Sequence, residues 1–434
     1  MSATPERILG TYLVLTLLST LASSFIWGIN TLFLLDAGLS VTQAFAANAF
    51  FTAGEVIFEV PTGVLADAWG RRTSYLLGSA TLFASTLLYL SMWRIHGPFW
   101  GWALSSALLG LGFTFFSGAT EAWLVDGLKA TRYRGTLESA FARGQIASGA
   151  GMLTGTIAGG AIAQATSLGV PYVLRAVALG LTFLVAFAWM RDVGFTPRRS
   201  ASVVGEMRDI VTGSLEQCLR NPPVRWVMLA GVFGSSVAVY GFYAMQPYLL
   251  EIHGRKDYAV AGAAAALVAA SQIVGGFMAP RTRKVFRRRT SALLLGSVAS
   301  AAALATMSLA SHFWIVLAAL ACWALVFAAA LPIRQAFLNE IIPSERRATV
   351  LSSDNLLGSA GAALTQPALG KVAELWGYPS SYLATAGIQI LAVPFLLRAR
   401  GERAPSDPIP VEGAAGAAVP EPVEQGGSEK GARP

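Results

Sequence analysis

Four ionisable side chains fall inside long apolar stretches of the sequence, where a charge is unfavourable. They are Glu55, Glu59, Glu121 and Arg143. An ionised side chain at the centre of a bilayer costs from about 2.5 kcal/mol upward, so such groups are usually paired, protonated or in contact with water. Glu55 and Glu59 are neighbours on one helix face, because residues i and i+4 lie one turn apart. Three acids against one base leave an excess of carboxylate.

The sequence allows three roles for these charges. In the first, Arg143 neutralises Glu59 or Glu121, and Glu55 is the carboxylate that takes up and releases a proton, since burial beside a like charge disfavours its ionised form. In the second, the charges form a static buried salt bridge that fixes the register of the helices. In the third, a carboxylate binds a cationic substrate directly. We expect proton coupling.

The charged residues lie in segments that are long enough to cross a membrane. The chain has 434 residues, of which 54% are hydrophobic and 13% charged, whereas a soluble domain has about 25% charged residues. Backbone groups in lipid must be satisfied within their own segment, so apolar runs of roughly twenty residues are predicted to be α-helices. We read twelve spans, at about 11–35, 43–65, 74–93, 99–125, 139–163, 171–190, 226–250, 259–279, 291–310, 313–338, 349–371 and 380–398.

Basic residues mark one side of the membrane. With the loops assigned alternately to two sides, 25 of the 32 Lys and Arg residues fall on the side of the N-terminus. The positive-inside rule places that side in the cytoplasm. We therefore expect a multi-pass protein of a prokaryote-like plasma (inner) membrane, with both termini cytoplasmic.

The chain divides into two similar halves. The segment EAWLVDGLKATRYRGTLES in the first half aligns with QAFLNEIIPSERRATVLSS in the second. A duplication of six spans, with the substrate path between the halves, is a common plan of secondary transporters. We predict an N-terminal six-helix bundle (1–190), a cytoplasmic central loop (191–225), a C-terminal six-helix bundle (226–400) and a disordered cytoplasmic tail (401–434), which is rich in Pro, Gly, Ala and Glu.

A loop motif follows the second span. The segment GVLADAWGRR resembles the signature between spans two and three of the major facilitator superfamily, and the matching residues are Gly63, Leu65, Asp67, Gly70, Arg71 and Arg72. With the twelve spans and the repeat, the resemblance covers about residues 8 to 400. It implies an all-α polytopic membrane protein, built from two pseudo-symmetric six-helix bundles.

The family resemblance also implies a role for this motif. Arg71 or Arg72 is expected to pair with Asp126 at the end of span four. The cluster would then latch the cytoplasmic side when the protein is open outward. The alternative is that both arginines serve only as topology signals.

The fifth span carries a second motif. The segment GMLTGTIAGG resembles the antiporter signature of the family, and its glycines are Gly151, Gly155, Gly159 and Gly160. It departs from the signature at Thr156, where the family has proline. The glycines allow close packing against another helix of the same half, although small residues at this spacing also occur in ordinary membrane packing. Span four also lacks the arginine that proton-coupled drug antiporters of the family usually carry.

Several polar and aromatic residues are candidates for a substrate cavity. They are Trp27, Asn30, Tyr243, Gln246, Arg334 and Gln366. Arg334 would either bind an anionic group of the substrate or hold a polar cluster near the cytoplasm. Because polar points are sparse among apolar spans, a hydrophobic or weakly cationic small molecule is favoured over a sugar.

The sequence predicts a transporter rather than an enzyme. It shows no catalytic constellation, no metal-binding cluster and no phosphate-binding loop of the ATP-driven pumps. We expect a monomer in the lipid bilayer, with a small-molecule substrate, no nucleic acid, no ATP and no cofactor, that exports a small amphipathic compound in exchange for protons, as bacterial efflux members of the family do. The alternatives are a proton-coupled nutrient importer and a membrane sensor that transports nothing.

Overall fold

A computed structural model describes residues 4–197, 205, 208, 212, 221–342 and 347–409. The regular structure in these ranges is helical. The helices are α1 (Pro5–Trp27), α2 (Asn30–Asp36), α3 (Val41–Trp69), α4 (Arg71–Ile95), α5 (Phe99–Thr114), α6 (Ala119–Ala130), α7 (Leu137–Ala165), α8 (Gly169–Trp189), α9 (Pro222–His253), α10 (Tyr258–Val285), α11 (Arg289–Leu309), α12 (Phe313–Ile341), α13 (Arg347–Ile390) and α14 (Ala392–Gly401).

Local sequence signals set where the helices begin and end. The Thr4 side chain caps α1, which has Pro5 in its first turn. Ser40 and Gln43 form a capping box at the start of α3, in which each side chain bonds the backbone of the other residue. Gly70 separates α3 from α4 with φ 100°, a conformation that strongly favours glycine.

Eleven stretches of the described residues are long and apolar enough to cross a membrane. The last, Val350–Gly401, has 52 residues and is broken at Gly377, where φ is 82°. It therefore supplies two spans, which gives the twelve that the sequence predicts. The predicted fold class, an all-α polytopic membrane protein, is confirmed.

The spans pack as two bundles. In the first, α1 packs against α7 and α8, while α4 packs against α5 and α8. In the second, α9 packs against α13 and α14, and α11 packs against α12 and α13. The bundles meet mainly along two helix pairs, α3 with α13 and α7 with α10, and to a smaller extent where α2 contacts α9. We call the bundles the N-half (α1–α8) and the C-half (α9–α14).

The loops define two faces of the molecule. We call the face that carries residues 70, 131–136 and 286–288 the basic face, and the face that carries residues 37–40, 166–168 and 254–257 the far face. Hydrogen bonds between the halves cluster toward the far face. The backbone N–H of Tyr258 donates to Gln164 over 2.7 Å, and that of Thr42 donates to Glu374 over 2.9 Å. The conformation is therefore closed at the far face.

The central loop and the tail are described only in part. Most of the loop predicted at 191–225 lies outside the described residues, as does the tail from 410 onward. Residues 402–409, in contrast to the expectation of disorder, pack against the C-half. Asp407 accepts a hydrogen bond from the backbone N–H of Thr290 over 2.9 Å, and Ile409 donates its own to Arg287 over 3.1 Å. The composition of this segment predicts disorder and does not reveal these two hydrogen bonds. The predicted domain bounds remain a prediction.

Candidate functional site: a cavity between the halves

A cavity of about 470 Å³ lies between the two halves. Its walls come from α1, α2, α3, α4, α5, α7 and α8 of the N-half and from α9, α10, α12 and α13 of the C-half. Much of the wall is aromatic, through Trp27, Phe51, Phe113, Phe242, Tyr243, Trp323 and Phe327. A small number of polar groups interrupts this surface. Such a lining suits a ligand with an apolar body and few polar groups.

Two asparagines form a polar cluster at one end of the cavity. Asn30 donates to the Asn48 side-chain oxygen over 2.8 Å, and the Tyr172 hydroxyl donates to the Asn30 oxygen over 2.8 Å. All three side chains are buried. The Asn48 amide nitrogen has no hydrogen-bond partner in the described part of the structure. Asn30, a predicted cavity residue, therefore lines the cavity as a fixed part of a network.

Arg175 is the residue that the sequence reasoning missed. It lies on α8, lines the cavity and is only 1% exposed. Its Nε donates to the Thr86 hydroxyl over 3.1 Å, and its guanidinium lies over the Phe113 ring at 5.9 Å from the centroid. The sequence does contain a signal for it, because Arg175 is a lone arginine in the sixth apolar run. An ionisable residue inside a membrane span is a candidate functional residue, as for Glu55 and Glu59.

Glu55 lies where the cavity meets a second pocket. It lines the central cavity and also a polar pocket of about 560 Å³ within the N-half. Glu59 and Glu121 line the polar pocket as well. The Ser117 hydroxyl donates to Glu59 over 2.8 Å, and Glu121 is exposed. The structure therefore brings the three predicted carboxylates together around one pocket.

Arg143 does not join this carboxylate group as predicted. It is exposed and lines neither the central cavity nor the polar pocket. Within the described ranges it forms no ion pair with Glu59 or Glu121. Position along a helix axis, from which the pairing was predicted, does not determine which way the side chain points around that axis.

The other predicted cavity residues have different locations. Trp27 and Tyr243 line the cavity. Gln246 is buried between the halves, where its side-chain oxygen accepts from Thr31 N–H over 2.8 Å and its amide donates to the Trp27 carbonyl over 2.8 Å. Gln366 donates to the Thr52 hydroxyl over 3.2 Å, again between the halves. Both glutamines therefore hold the halves together.

Arg334 is already paired. Its guanidinium binds Asp354 through two contacts, of 2.6 Å and 2.5 Å, and it does not line the central cavity. Asp354 is 7% exposed. Of the two roles that the sequence allowed for Arg334, this geometry supports the polar cluster.

The loop-motif residues bond within the N-half. Arg71 pairs with Asp67 over 2.5 Å. The backbone N–H of Arg72 donates to Asp192 over 2.9 Å, while its guanidinium donates to the Phe187 carbonyl over 2.8 Å. The described residues show no ion pair between Asp126 and either arginine. Gly63, also part of the motif, has open space at its Cβ position.

The glycines of α7 contact two different neighbours. A Cβ on Gly151 would lie 3.1 Å from the Leu17 carbonyl oxygen, and one on Gly155 would lie 2.6 Å from the Ser24 Cβ. Gly159 likewise approaches the Phe25 backbone, so these three glycines face α1 of the same half. Gly160 instead faces the C-half, where its Cβ would lie 2.8 Å from the Gly262 Cα.

Twelve spans in two bundles, with a cavity between them and closure at one face, are the architecture of a membrane transport protein. The comparison with protein families agrees: the Major Facilitator Superfamily model matches residues 12–292 and 256–426. The chain belongs to this superfamily and is a secondary transporter of that type.

Solved structures share the fold at low sequence identity. The nucleoside transporter NupG superposes with a TM-score of 0.76 at 10% identity, covering 91% of this chain and 99% of that one. A bacterial homolog of the human lysosomal transporter Spinster, in an inward-facing and unoccupied conformation, gives 0.72 at 16% identity, covering 92% and 98%. A D-xylose-proton symporter gives 0.67 at 16% identity, covering 90% and 96%. A search of curated proteins finds no match.

Proposed function

We propose that this protein is a proton-coupled antiporter that exports a small amphipathic compound, with Glu55 as the site where proton and substrate exchange. The observation that carries the proposal is the position of Glu55, which lines both the central cavity and the polar pocket. A carboxylate at this junction is in contact with the substrate cavity on one side and with the polar pocket of the N-half on the other.

The coupling follows from competition for one carboxylate. A substrate with a cationic group binds ionised Glu55 and is excluded when Glu55 carries a proton. Glu59 and Glu121, which line the same polar pocket, offer further oxygen atoms along which a proton can move. Because the two ligands cannot occupy Glu55 together, one must leave before the other enters. That is the requirement for exchange rather than co-transport.

The cavity lining supports the choice of substrate. Its aromatic wall accepts an apolar body, and the scarcity of polar groups does not suit a ligand that requires many hydrogen bonds. A volume of about 470 Å³ corresponds to a small molecule. The superfamily includes the D-xylose-proton symporter and the nucleoside transporter above, so the fold alone leaves the substrate open.

The proposal includes a topology. The basic face carries Arg71 at the start of α4 and Arg132, Arg287 and Arg288 in its loops. The positive-inside rule places this face in the cytoplasm of a plasma membrane. The conformation described here is then open to the cytoplasm and closed outward. The protein acts as a monomer, and the proton gradient replaces ATP or a cofactor as the source of energy.

Reconstituted proteoliposomes test the proposal. A panel of amphipathic amines is loaded inside the vesicles, a pH gradient is imposed, and internal pH is followed with a trapped dye. Wild type should exchange at least one amine for protons, and Glu55→Gln should abolish this exchange while retaining its elution profile. Glu251→Gln, an exposed glutamate that lines neither pocket, is the matched control.

Two outcomes would replace the proposal. Substrate accumulation together with protons would identify a symporter, as in the nutrient-importer alternative. No flux of any compound in either direction, with a folded protein, would favour the sensor.

A further inference from the structure

The central cavity contains two opposite charges that do not neutralise each other. Arg175 and Glu55 both line it, and no ion pair joins them in the described part of the chain. We infer that the pair recognises a dipolar substrate, an amphipathic amino acid-like molecule whose carboxylate binds Arg175 and whose ammonium group binds Glu55. This inference rests on the proposed function and adds the substrate class.

Among the described residues, no anion pairs with Arg175. The Arg175 side chain contacts the Thr86 hydroxyl and the Phe113 ring. A buried guanidinium without a carboxylate is unfavourable, although aromatic faces offset part of the cost. Its Nη2 is buried and has no hydrogen-bond partner in the part of the chain that the structure describes. A carboxylate is the group that would complete this environment.

Two more hydrogen-bond donors in the cavity wall can bind a ligand acceptor. The Asn48 amide nitrogen and the Trp323 indole nitrogen are buried and have no hydrogen-bond partner among the described residues, and both residues line the cavity. Buried donors in native proteins are nearly always paired, so such groups at a binding site are explained by a ligand. Asn48 belongs to the N-half and Trp323 to the C-half. The oxygens of a bound carboxylate can therefore accept hydrogen bonds from both halves.

Tyr243 lines the same cavity as the two charges. Among the described residues, Glu55 and Arg175 form no ion pair with each other. Each therefore remains available to one end of a dipolar ligand. An ammonium group that neutralises Glu55 also preserves the competition with protons on which antiport depends.

The charge balance favours a carboxylate over a phosphate. One guanidinium and two neutral donors compensate a single negative charge. A phosphate monoester carries between one and two charges at neutral pH, and its second charge would lie uncompensated near Glu55. The aromatic wall of Phe51, Phe113 and Phe242 suits an aryl group. The expected substrate is therefore an aryl or alkyl amino acid or a close relative.

A matched ligand series tests the inference by binding, without transport. The probes are naphthylalanine, naphthylethylamine, which lacks the carboxylate, and naphthylpropionate, which lacks the ammonium group. Each is titrated calorimetrically into the full-length protein in detergent. Wild type should bind naphthylalanine about tenfold or more tightly than either analogue, the gain expected from a charged hydrogen-bonded pair.

Variants assign each charge to its ligand group. Arg175→Gln should reduce the affinity for naphthylalanine to that for naphthylethylamine, and should weaken naphthylethylamine far less. Arg175→Lys, which retains charge without the planar fork, should give an intermediate loss. Glu55→Gln should remove the advantage of naphthylalanine over naphthylpropionate. Arg334→Lys is the matched control, since Arg334 is paired with Asp354 outside the cavity, and it should bind naphthylalanine as wild type does.

Several results would overturn the inference. They are the absence of naphthylalanine binding to folded wild type, tighter binding of naphthylethylamine than of naphthylalanine, and equal losses for all three probes in Arg175→Gln and Arg175→Lys. A protein that shows the expected binding pattern but exchanges no protons keeps this inference and loses the proposed antiport. A protein that exchanges amines for protons but shows no preference for naphthylalanine keeps the proposed antiport and loses this inference.

Discussion

The carboxylate of Asp192 accepts a hydrogen bond from the backbone N–H of Arg72 over 2.9 Å and so caps the first turn of α4. Asp407 makes the same bond to Thr290, at the start of α11, also over 2.9 Å. Each aspartate follows the last helix of its half, and each N–H belongs to the second residue of a helix. The internal repeat seen in the sequence thus extends to the caps on the basic face.

Removing either cap should destabilise its own half. Asp192→Ala and Asp407→Ala each leave an N–H without its acceptor, a loss of about 1 kcal/mol for an N-cap. Both variants should therefore melt earlier in detergent than wild type. Asp192→Asn keeps an acceptor oxygen and should melt close to wild type. An unchanged melting temperature in Asp192→Ala would show that water replaces the bond.

The same carboxylate gives a pH dependence. Burial raises the pKa of Asp192 above its usual value, against the lowering effect of the Arg72 N–H and guanidinium. A raised pKa in the folded state means that the protonated form contributes stability, which is lost as pH rises through that pKa. Wild type should therefore gain melting temperature relative to Asp192→Asn as the pH is lowered from neutral to the ordinary Asp pKa of about 4. A constant difference across this range would contradict the assignment.

Adjacent glycines on α7 should respond differently to alanine. Gly159 approaches the Phe25 backbone within the N-half, so a methyl group there disturbs packing in every conformation. Gly160 approaches Gly262 across the interface, where a Cβ would lie 2.8 Å from the Gly262 Cα, and this contact exists only while the far face is closed. Gly159→Ala should lower stability and yield. Gly160→Ala should fold and populate the far-face-open state.

Spin labels on the far face measure that shift. Ser167→Cys and Lys256→Cys flank the α7–α10 contact, in a background with Cys218 and Cys322 replaced by serine. The Gly160→Ala distance distribution should gain a longer component that wild type lacks. If Gly159→Ala gave the longer component and Gly160→Ala did not, the assignment of the two glycines would be reversed.

The sequence predicted the fold well because its main signals are local. Span length, charge asymmetry and the loop motif each depend on a short stretch of chain, and Glu55, Glu59 and Glu121 stand out as acids in apolar runs. Their depth follows from the rise of a helix. The structure places all three around one pocket, as expected from their similar depth in the membrane and from the shared helix face of Glu55 and Glu59.

The remaining features depend on how helices rotate and meet. To predict whether Arg143 pairs with an acid, one must know in which direction its side chain points around the helix axis. A helix that is apolar on all sides does not reveal this direction. Gln246 and Gln366 face the other half, as their hydrogen bonds show, but the sequence does not state which spans touch in which conformation. The pairing of Arg334 with Asp354 likewise joins two consecutive helices, through residues that are 20 positions apart in the chain.

The Arg334–Asp354 pair should be needed as a unit. Arg334→Met alone leaves the buried Asp354 charge without its partner, and breaking a buried ion pair in this way costs about 3–5 kcal/mol. Asp354→Leu alone should cost a similar amount. The double variant removes both charges and should recover most of the loss, as measured by unfolding in detergent. If both single variants were as stable as wild type, the pair would have no structural role.

A carboxylate of the C-half caps a helix of the N-half at the far face. Glu374 accepts from the Thr42 N–H over 2.9 Å and pairs with Lys371 over 2.8 Å. Opening of the far face must break the bond to Thr42, so Glu374→Ala should favour the open state. A cysteine in place of Val239, which lines the cavity, should then react faster with a membrane-impermeant maleimide added at the far face.

Glu374→Gln keeps an acceptor and should have a smaller effect. Lys371→Gln, which leaves the bond to Thr42 intact, is the control, and faster labelling in that variant alone would assign the closure to the ion pair instead.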